Sequence, residues 1–257
     1  MQEFDNLYGM SEIRNWIKAI YRSVQYKKER NPDFSFLLEH PVFVGAPGTG
    51  KTSAAKILGK AFYALGLVPS SRFCSYKAND LIAGFIGQTA LKTKDALARG
   101  RGGVIFIDEA YALYRGGEDS FGLEAIDTLV KGIEDHRDDL VVILAGYTKE
   151  MQLFLSANSG LASRFPNQIE FPDYTGEELY KIMLSIAKGK GYTLDEGCRL
   201  PLVTYFDCKQ AEDAATNGNG RMARNTLEKA ILNQSKRLVA DPDASLELLL
   251  PGDFELE

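Results

Sequence analysis

Three short stretches of the chain, Pro41–Val44, Val104–Ile107 and Leu140–Ala145, are apolar at every position. Between and around them apolar residues recur every three to four positions. A run of apolar residues only a few positions long, bounded by turn signals, is the pattern of a strand buried on both faces. The 3.6-residue recurrence is that of a helix with one buried stripe. The first helix is expected over Ser11–Lys28, with Ile13, Trp16, Ile17, Ile20 and Val24 on one face and Trp16 packing into the core. Others are expected over Ser53–Leu65 and Ser120–His136, with further strands at Arg72–Tyr76 and Gln168–Phe171. Strand and helix in alternation, with wholly apolar strands, predict a parallel sheet covered by helices on both faces, an α/β fold.

The pattern changes at Pro172-Asp173-Tyr174-Thr175-Gly176. Beyond it only helical periodicity is apparent, over Glu177–Lys188, Asp195–Glu212 and Arg221–Leu238, the last preceded by the turn cluster Asn217-Gly218-Asn219-Gly220. A large α/β domain of residues 1–174 and a small helical domain of 175–257 are therefore expected. The length of 257 residues fits one large or two small domains at about 150 residues each.

Composition excludes more than it identifies. Thirty basic against 35 acidic residues leave a net charge of −5, which counts against nonspecific nucleic-acid binding. Two histidines, His40 and His136, and three cysteines, Cys74, Cys198 and Cys208, make no C-x-x-C or H-x₃₋₅-H spacing. Neither a zinc site nor a disulfide framework follows, and buried or partly buried thiols in a reducing compartment are expected. No apolar run approaches the roughly 20 residues that span a bilayer, and the N-terminus lacks the apolar region of a signal peptide. A cytoplasmic protein is the expectation.

Two motifs carry chemistry. Gly45-Ala46-Pro47-Gly48-Thr49-Gly50-Lys51-Thr52, followed by Ser53, matches G-x-x-x-x-G-K-[ST] and lies between a predicted strand and a predicted helix. Glycines let the backbone wrap closely around phosphates, amide N–H groups point inward, and the following helix adds its positive end. Lys51 supplies a point charge for the β- and γ-phosphates and Thr52 a hydroxyl for Mg²⁺. Second, Val104–Ile107 ends in Asp108-Glu109, which puts two carboxylates at the C-terminal edge of a buried strand, where ligands of open parallel sheets bind. Asp108 is the expected partner of Mg²⁺, and Glu109 is placed to orient or deprotonate an attacking water.

With these motifs, Gly84-Phe85-Ile86-Gly87-Gln88-Thr89, Phe106–Leu113, Arg137–Tyr147 and Ile169–Tyr174 resemble the CbxX/CfxQ family of AAA+ ATPases, which includes red-type Rubisco activases and sporulation-associated proteins. The likeness runs from Leu7-Tyr8-Gly9-Met10 to Leu250-Pro251-Gly252-Asp253-Phe254. It implies a P-loop sheet followed by an AAA+ lid, ATP/ADP with Mg²⁺ between them, and Tyr8, Gly9 and Met10 along the adenine. It further implies an arginine finger at Arg164, in Leu161-Ala162-Ser163-Arg164-Phe165, that reaches a neighbouring subunit's nucleotide. A sensor 2 arginine is implied at Arg221, in Asn219–Asn225, and an aromatic pore loop at Phe85-Ile86-Gly87. Most AAA+ proteins carry a polar Asn or Thr as sensor 1; here the aligned position is Tyr147, with Thr148 next, and the residues leave both open.

The implied protein is an ATP-driven remodeller that threads a protein client, assembled as a homo-oligomer, a hexameric ring, or as a hetero-ring with a paralogue. It would be cytoplasmic, or stromal in a plastid. A slow nucleotide-dependent switch or scaffold is the alternative that Tyr147 keeps open. A nucleic-acid motor is a further alternative, which the charge and the aromatic rather than basic pore loop count against.

Overall fold

The computed structural model describes residues 11–30, 39–85, 87–114, 120–212, 218–240 and 244–256. Two compact units divide the chain, parting between Phe171 and Pro172, with residues 46–50 packing as part of the C-terminal unit.

The N-terminal unit is a five-stranded parallel sheet with helices. Helix α1 (Ser11–Arg30) precedes β1 (Pro41–Gly45), and α2 (Lys51–Ala64) leads to β2 (Phe73–Lys77). The short helix α3 (Ala78–Leu81) and α4 (Gln88–Gly100) come before β3 (Val104–Asp108). Then follow α5 (Ser120–Asp135), β4 (Val141–Gly146), α6 (Thr148–Ala157), α7 (Ser159–Arg164) and β5 (Asn167–Phe171). The strand order is β2-β3-β4-β1-β5. Register explains the burial pattern: the first four residues of β3 and every residue of the other two inner strands, β1 and β4, are buried. The edge strand β5 alternates, with Ile169 and Phe171 inward. A central parallel strand has neighbours on both sides and helices on both faces, so it must be apolar throughout. Trp16 packs edge-on against Phe62, tying α1 to α2.

Tyr76, Ile107, Leu144, Val42 and Gln168 form one row across the sheet. Counting forward from that row, Gly45, Asp108–Glu109 and Tyr147 all fall at the C-terminal edge of adjacent strands. That is the edge at which open parallel sheets bind ligands.

The C-terminal unit holds α8 (Gly176–Gly189), α9 (Arg199–Glu212) and α10 (Gly220–Ala240), and it is not purely helical. Strands β6 (Thr193–Leu194) and β7 (Leu248–Leu249) form a parallel pair too short to leave a periodic signature in the sequence. Thr175 caps α8 with a reciprocal box: its hydroxyl accepts from the Glu178 N–H and the Glu178 carboxylate accepts from the Thr175 N–H. One thiol departs from expectation. Cys198 is buried and Cys74 partly so, but Cys208 lies exposed on α9.

A buried ion pair closes this unit. Asp253 is 2% exposed and accepts from Arg237 Nε at 2.8 Å and Nη2 at 2.9 Å, with a third bond from the Leu250 N–H at 2.8 Å. Burial alone would raise its carboxyl, but the Arg237 and Leu250 hydrogen bonds and the Arg237 charge outweigh burial and hold it below the usual value. Because the folded pKa lies below the unfolded one, the stabilisation is present above the ordinary carboxylate range. It is lost as pH falls through the lowered folded value. Asp253→Asn is expected to cost about 3 kcal/mol, the lower end for breaking a buried pair since Arg237 is partly exposed. Urea unfolding of the two proteins measures it, and a difference below about 1 kcal/mol, the scale of one ordinary hydrogen bond, would contradict it.

Candidate functional site

The glycine-rich loop leaves β1 at Gly45, whose carbonyl accepts from Lys51 Nζ at 2.8 Å. Lys51 is buried at the first turn of α2; Thr52 beside it is half-buried and Ser53 exposed. Two glycines are structurally required. Gly45 has φ +147°, and a Cβ there would strike the Phe171 carbonyl of β5. Gly48 has φ +77°, and a Cβ there would strike the Gly218 carbonyl. A side chain at either position would push apart backbone segments that meet directly.

Inside the loop the Thr49 hydroxyl donates to the Ala46 carbonyl at 2.8 Å. Around it, within the C-terminal unit, lie Tyr174, Asn219 and Gly220. Asn219 is fully buried at φ +48°, a left-handed conformation that asparagine tolerates better than most residues. Its Oδ1 accepts from the Tyr174 N–H at 3.0 Å and from Gln210 Nε2 at 2.9 Å, and its Nδ2 donates to Asp173 at 2.7 Å. Arg221 is exposed in the first turn of α10, and its N–H donates to the Gly218 carbonyl.

At the end of β3, Asp108 Oδ1 accepts from the Glu109 N–H at 3.0 Å. Glu109 sits at φ +53°, ψ +39°. Left-handed backbone costs a residue with a Cβ about 1 kcal/mol, and such strain is found where a side chain must be aimed. The strand end, the strained turn and the short 3₁₀ helix Ala110–Leu113 fix both acids at the C-terminal edge of the sheet.

Tyr147 is the N-cap residue of α6 at the same edge, and its ring stacks on Tyr111 with centroids 5.6 Å apart. Burial first, then Tyr147 and Glu109, push the Tyr111 phenol up to about 12, so it stays a protonated donor beside the acids. Tyr111 did not stand out in the sequence; its place two residues after Asp108-Glu109 was the available signal.

Arg164 lies elsewhere in the same unit. It ends α7 beside His40, the residue before β1, at the N-terminal edge of the strands. Its guanidinium donates to the Gly160 carbonyl at 3.2 Å and to Glu134 at 3.4 Å, while Nε is buried with no hydrogen-bond partner among the described residues. His40 Nδ1 accepts the Val142 N–H at 3.1 Å, its ring packs on Phe165, and burial, with Arg164 adding, lowers its pKa to about 4. A bond accepted at Nδ1 puts the neutral ring's proton on Nε2.

Phe85 is 71% exposed. The loop that carries it is pinned behind: the Thr89 hydroxyl accepts from the Ala83 N–H at 3.0 Å, Lys92 donates to the Ile82 carbonyl at 2.9 Å, and Gly87 turns at φ +80°. Ile86, like Tyr8, Gly9 and Met10, lies outside the described residues. No described helix is long and apolar enough to cross a membrane.

Residues 41–173 match the family model described as "ATPase family associated with various cellular activities (AAA)", and residues 175–257 match the AAA lid domain. Stage V sporulation protein K of Bacillus subtilis is 40% identical over 242 residues, covering 93% of this chain and 75% of that protein. The Protein CfxQ homolog of Galdieria sulphuraria is 38% identical, covering 90% of this chain and 77% of the relative. The chloroplastic ribulose bisphosphate carboxylase/oxygenase activase of Cyanidioschyzon merolae is 40% identical, covering 80% and 70%. A phosphate-type loop after β1, paired acids at the same sheet edge after β3, a matched lid and relatives at this identity together place the chain in the CbxX/CfxQ branch of the AAA family of ATPases.

Proposed function

We propose that the chain works as a ring oligomer in which each ATP is held by one subunit and its hydrolysis completed by the next, driving the remodelling or threading of a protein partner. In this reading a large domain of residues 1–174 and a lid of 175–257 make up each subunit. The amides of 46–50 with Lys51 hold the phosphates, and Arg221 faces the same nucleotide. Thr52 and Asp108 offer two hard oxygen donors, which suits Mg²⁺, an ion that keeps several waters and takes few protein ligands. Bound there, Mg²⁺ would neutralise charge on the β- and γ-phosphates. Glu109 orients the attacking water and Tyr147 or Thr148 faces it as sensor 1. Tyr8, Gly9 and Met10 would line the adenine.

One observation carries the shared-site reading. Arg164 and Glu109 belong to the same unit but sit at opposite edges of its strands, roughly 15 Å apart along β3 at 3.3 Å per residue. That separation supports the reading in which Arg164 serves the site of a neighbouring copy rather than the Glu109 of its own subunit. Exposed Phe85 on a pinned loop supports the pore-loop role with Ile86 and Gly87, since a ring of aromatics grips an extended peptide without reading its sequence. One relative is named for activating an enzyme, ribulose bisphosphate carboxylase/oxygenase, and a client of that class, a folded protein, is proposed here too.

ATP turnover per subunit is expected to rise with protein concentration and then plateau as rings fill. Specific activity that stays flat down to dilutions where the protein sediments as a monomer would overturn the shared site. It would favour the slow switch, which draws on the aromatic Tyr147–Tyr111 stack at the sensor position.

A further inference from the structure

Within the C-terminal unit, three consecutive carbonyls of the glycine-rich loop are held by residues distant in sequence. Pro47 accepts from Asn219 Nδ2 at 3.4 Å, Gly48 from the Gly220 N–H at 3.1 Å, and Thr49 from the Tyr174 hydroxyl at 2.8 Å. A trans peptide is planar, so its carbonyl and the next residue's N–H point in opposite directions. Holding these carbonyls outward therefore turns the N–H groups of Gly48, Thr49 and Gly50 to the other side of the loop. Those amides are the ones a phosphate needs to face. Loop sequence alone does not select this orientation, because glycine peptides flip readily.

The grip is itself braced. Asn219 is clamped by the Tyr174 N–H, Gln210 and Asp173, and Gln210 also donates to the Tyr174 carbonyl at 2.9 Å. Both Tyr174 and Asn219 are buried. Burial, with the Glu178 charge adding, raises the Tyr174 phenol well above its ordinary value, so it remains a donor.

We propose that Tyr174 and Asn219 are positioning residues for the nucleotide: they orient the peptides of the phosphate loop and thereby set its affinity for the di- and triphosphate. This inference rests on the proposed role of residues 46–50 in holding phosphates. It requires no contact between either side chain and the nucleotide.

Tyr174→Phe is the cleanest test, since it removes one hydroxyl and keeps the ring. The dissociation constants for ADP and ATP, measured with Mg²⁺ by displacement of a fluorescent ADP, are expected to rise about fivefold, the worth of one hydrogen bond. Affinity for adenosine, which has no phosphates, should stay within about twofold, and kcat at saturating ATP likewise, the change appearing in KM. Asn219→Gly, which keeps the left-handed backbone, should raise both phosphate-dependent constants at least as far. Asp253→Asn provides the control for general loosening: it lowers the melting temperature without moving the ADP constant. A Tyr174→Phe protein that binds ADP as the wild type does would overturn the proposal, and so would equal losses for ADP and adenosine. A wild type that binds neither ADP nor ATP would instead sink the proposed function, and this inference with it.

Discussion

Glu109→Gln is expected to lower ATP turnover by about 10²–10⁴-fold while leaving nucleotide binding close to wild type. Glutamine keeps the shape of the side chain and the αL turn, so Asp108, whose Oδ1 is fixed by the residue-109 N–H rather than by its side chain, stays in place. Lys51 and the loop of residues 46–50 are untouched. What disappears is the carboxylate that would accept the proton of the attacking water, and an amide cannot replace it near neutral pH. A single-turnover experiment with labelled ATP separates the two steps: the variant should retain ATP on a filter and release phosphate slowly. A loss smaller than tenfold would remove Glu109 from the chemistry and turn attention to Tyr111 and Tyr147 beside it. Equal loss of binding would mean that the strained turn had relaxed, which Glu109→Gly, free of the left-handed penalty, would reveal by restoring binding without turnover.

The elements that could be read from sequence are those whose signal is local. β1, β3 and β4 are apolar at nearly every position because both faces are covered, and the glycine-rich loop and the acid pair stand directly at their ends. α1, α2 and α5 show their buried stripe in the residue spacing. The relations that decide function are mostly not local. Asn219 in the sequence looks like one half of an Asn-Gly turn; its bonds to Tyr174 and Pro47 span 45 and 172 residues. Tyr174 reaches Thr49 across 125 residues, and nothing in a single tyrosine foretells that. The β6–β7 pair offers only two residues per strand, too few for a period to show. Arg164 could be recognised as a candidate by its neighbours in sequence, but its place at the opposite end of the strands from Glu109 becomes visible only once the register is known. Phe85 is the reverse case. Most phenylalanines are core residues, and the glycines at 84 and 87 together with the likeness to a pore loop were the hints that this ring, 71% exposed, faces solvent.

That strand-edge separation yields the second large effect. Arg164→Ala is expected to reduce turnover by about 10³–10⁵-fold, the usual worth of an arginine finger, again with ATP binding retained. Arg164→Lys should rescue little, because a point ammonium lacks the planar fork that spans a transferring phosphoryl group. Misfolding is a poor explanation for such a loss. The truncation gives up one bond to the Gly160 carbonyl and an ion pair with the exposed Glu134, removes an Nε that is buried without a hydrogen-bond partner among the described residues, and relieves a cation beside a histidine that is already held neutral. The decisive readout is a mixture. Arg164→Ala subunits keep Glu109, and Glu109→Gln subunits keep Arg164, so each is inactive alone for a different reason. In a ring built from head-to-tail contacts, a site is complete when an Arg164→Ala subunit is followed by a Glu109→Gln subunit. Equal random mixing makes that arrangement at about a quarter of the sites, so the mixture should recover about a quarter of wild-type turnover if sites act independently. Recovery no greater than the sum of the two inactive proteins, under conditions where mixed oligomers are shown to form, would mean that the residues act in one subunit. Their separation across the strands would then have to close by unfolding β3 or α7, which hydrogen exchange on those segments would detect.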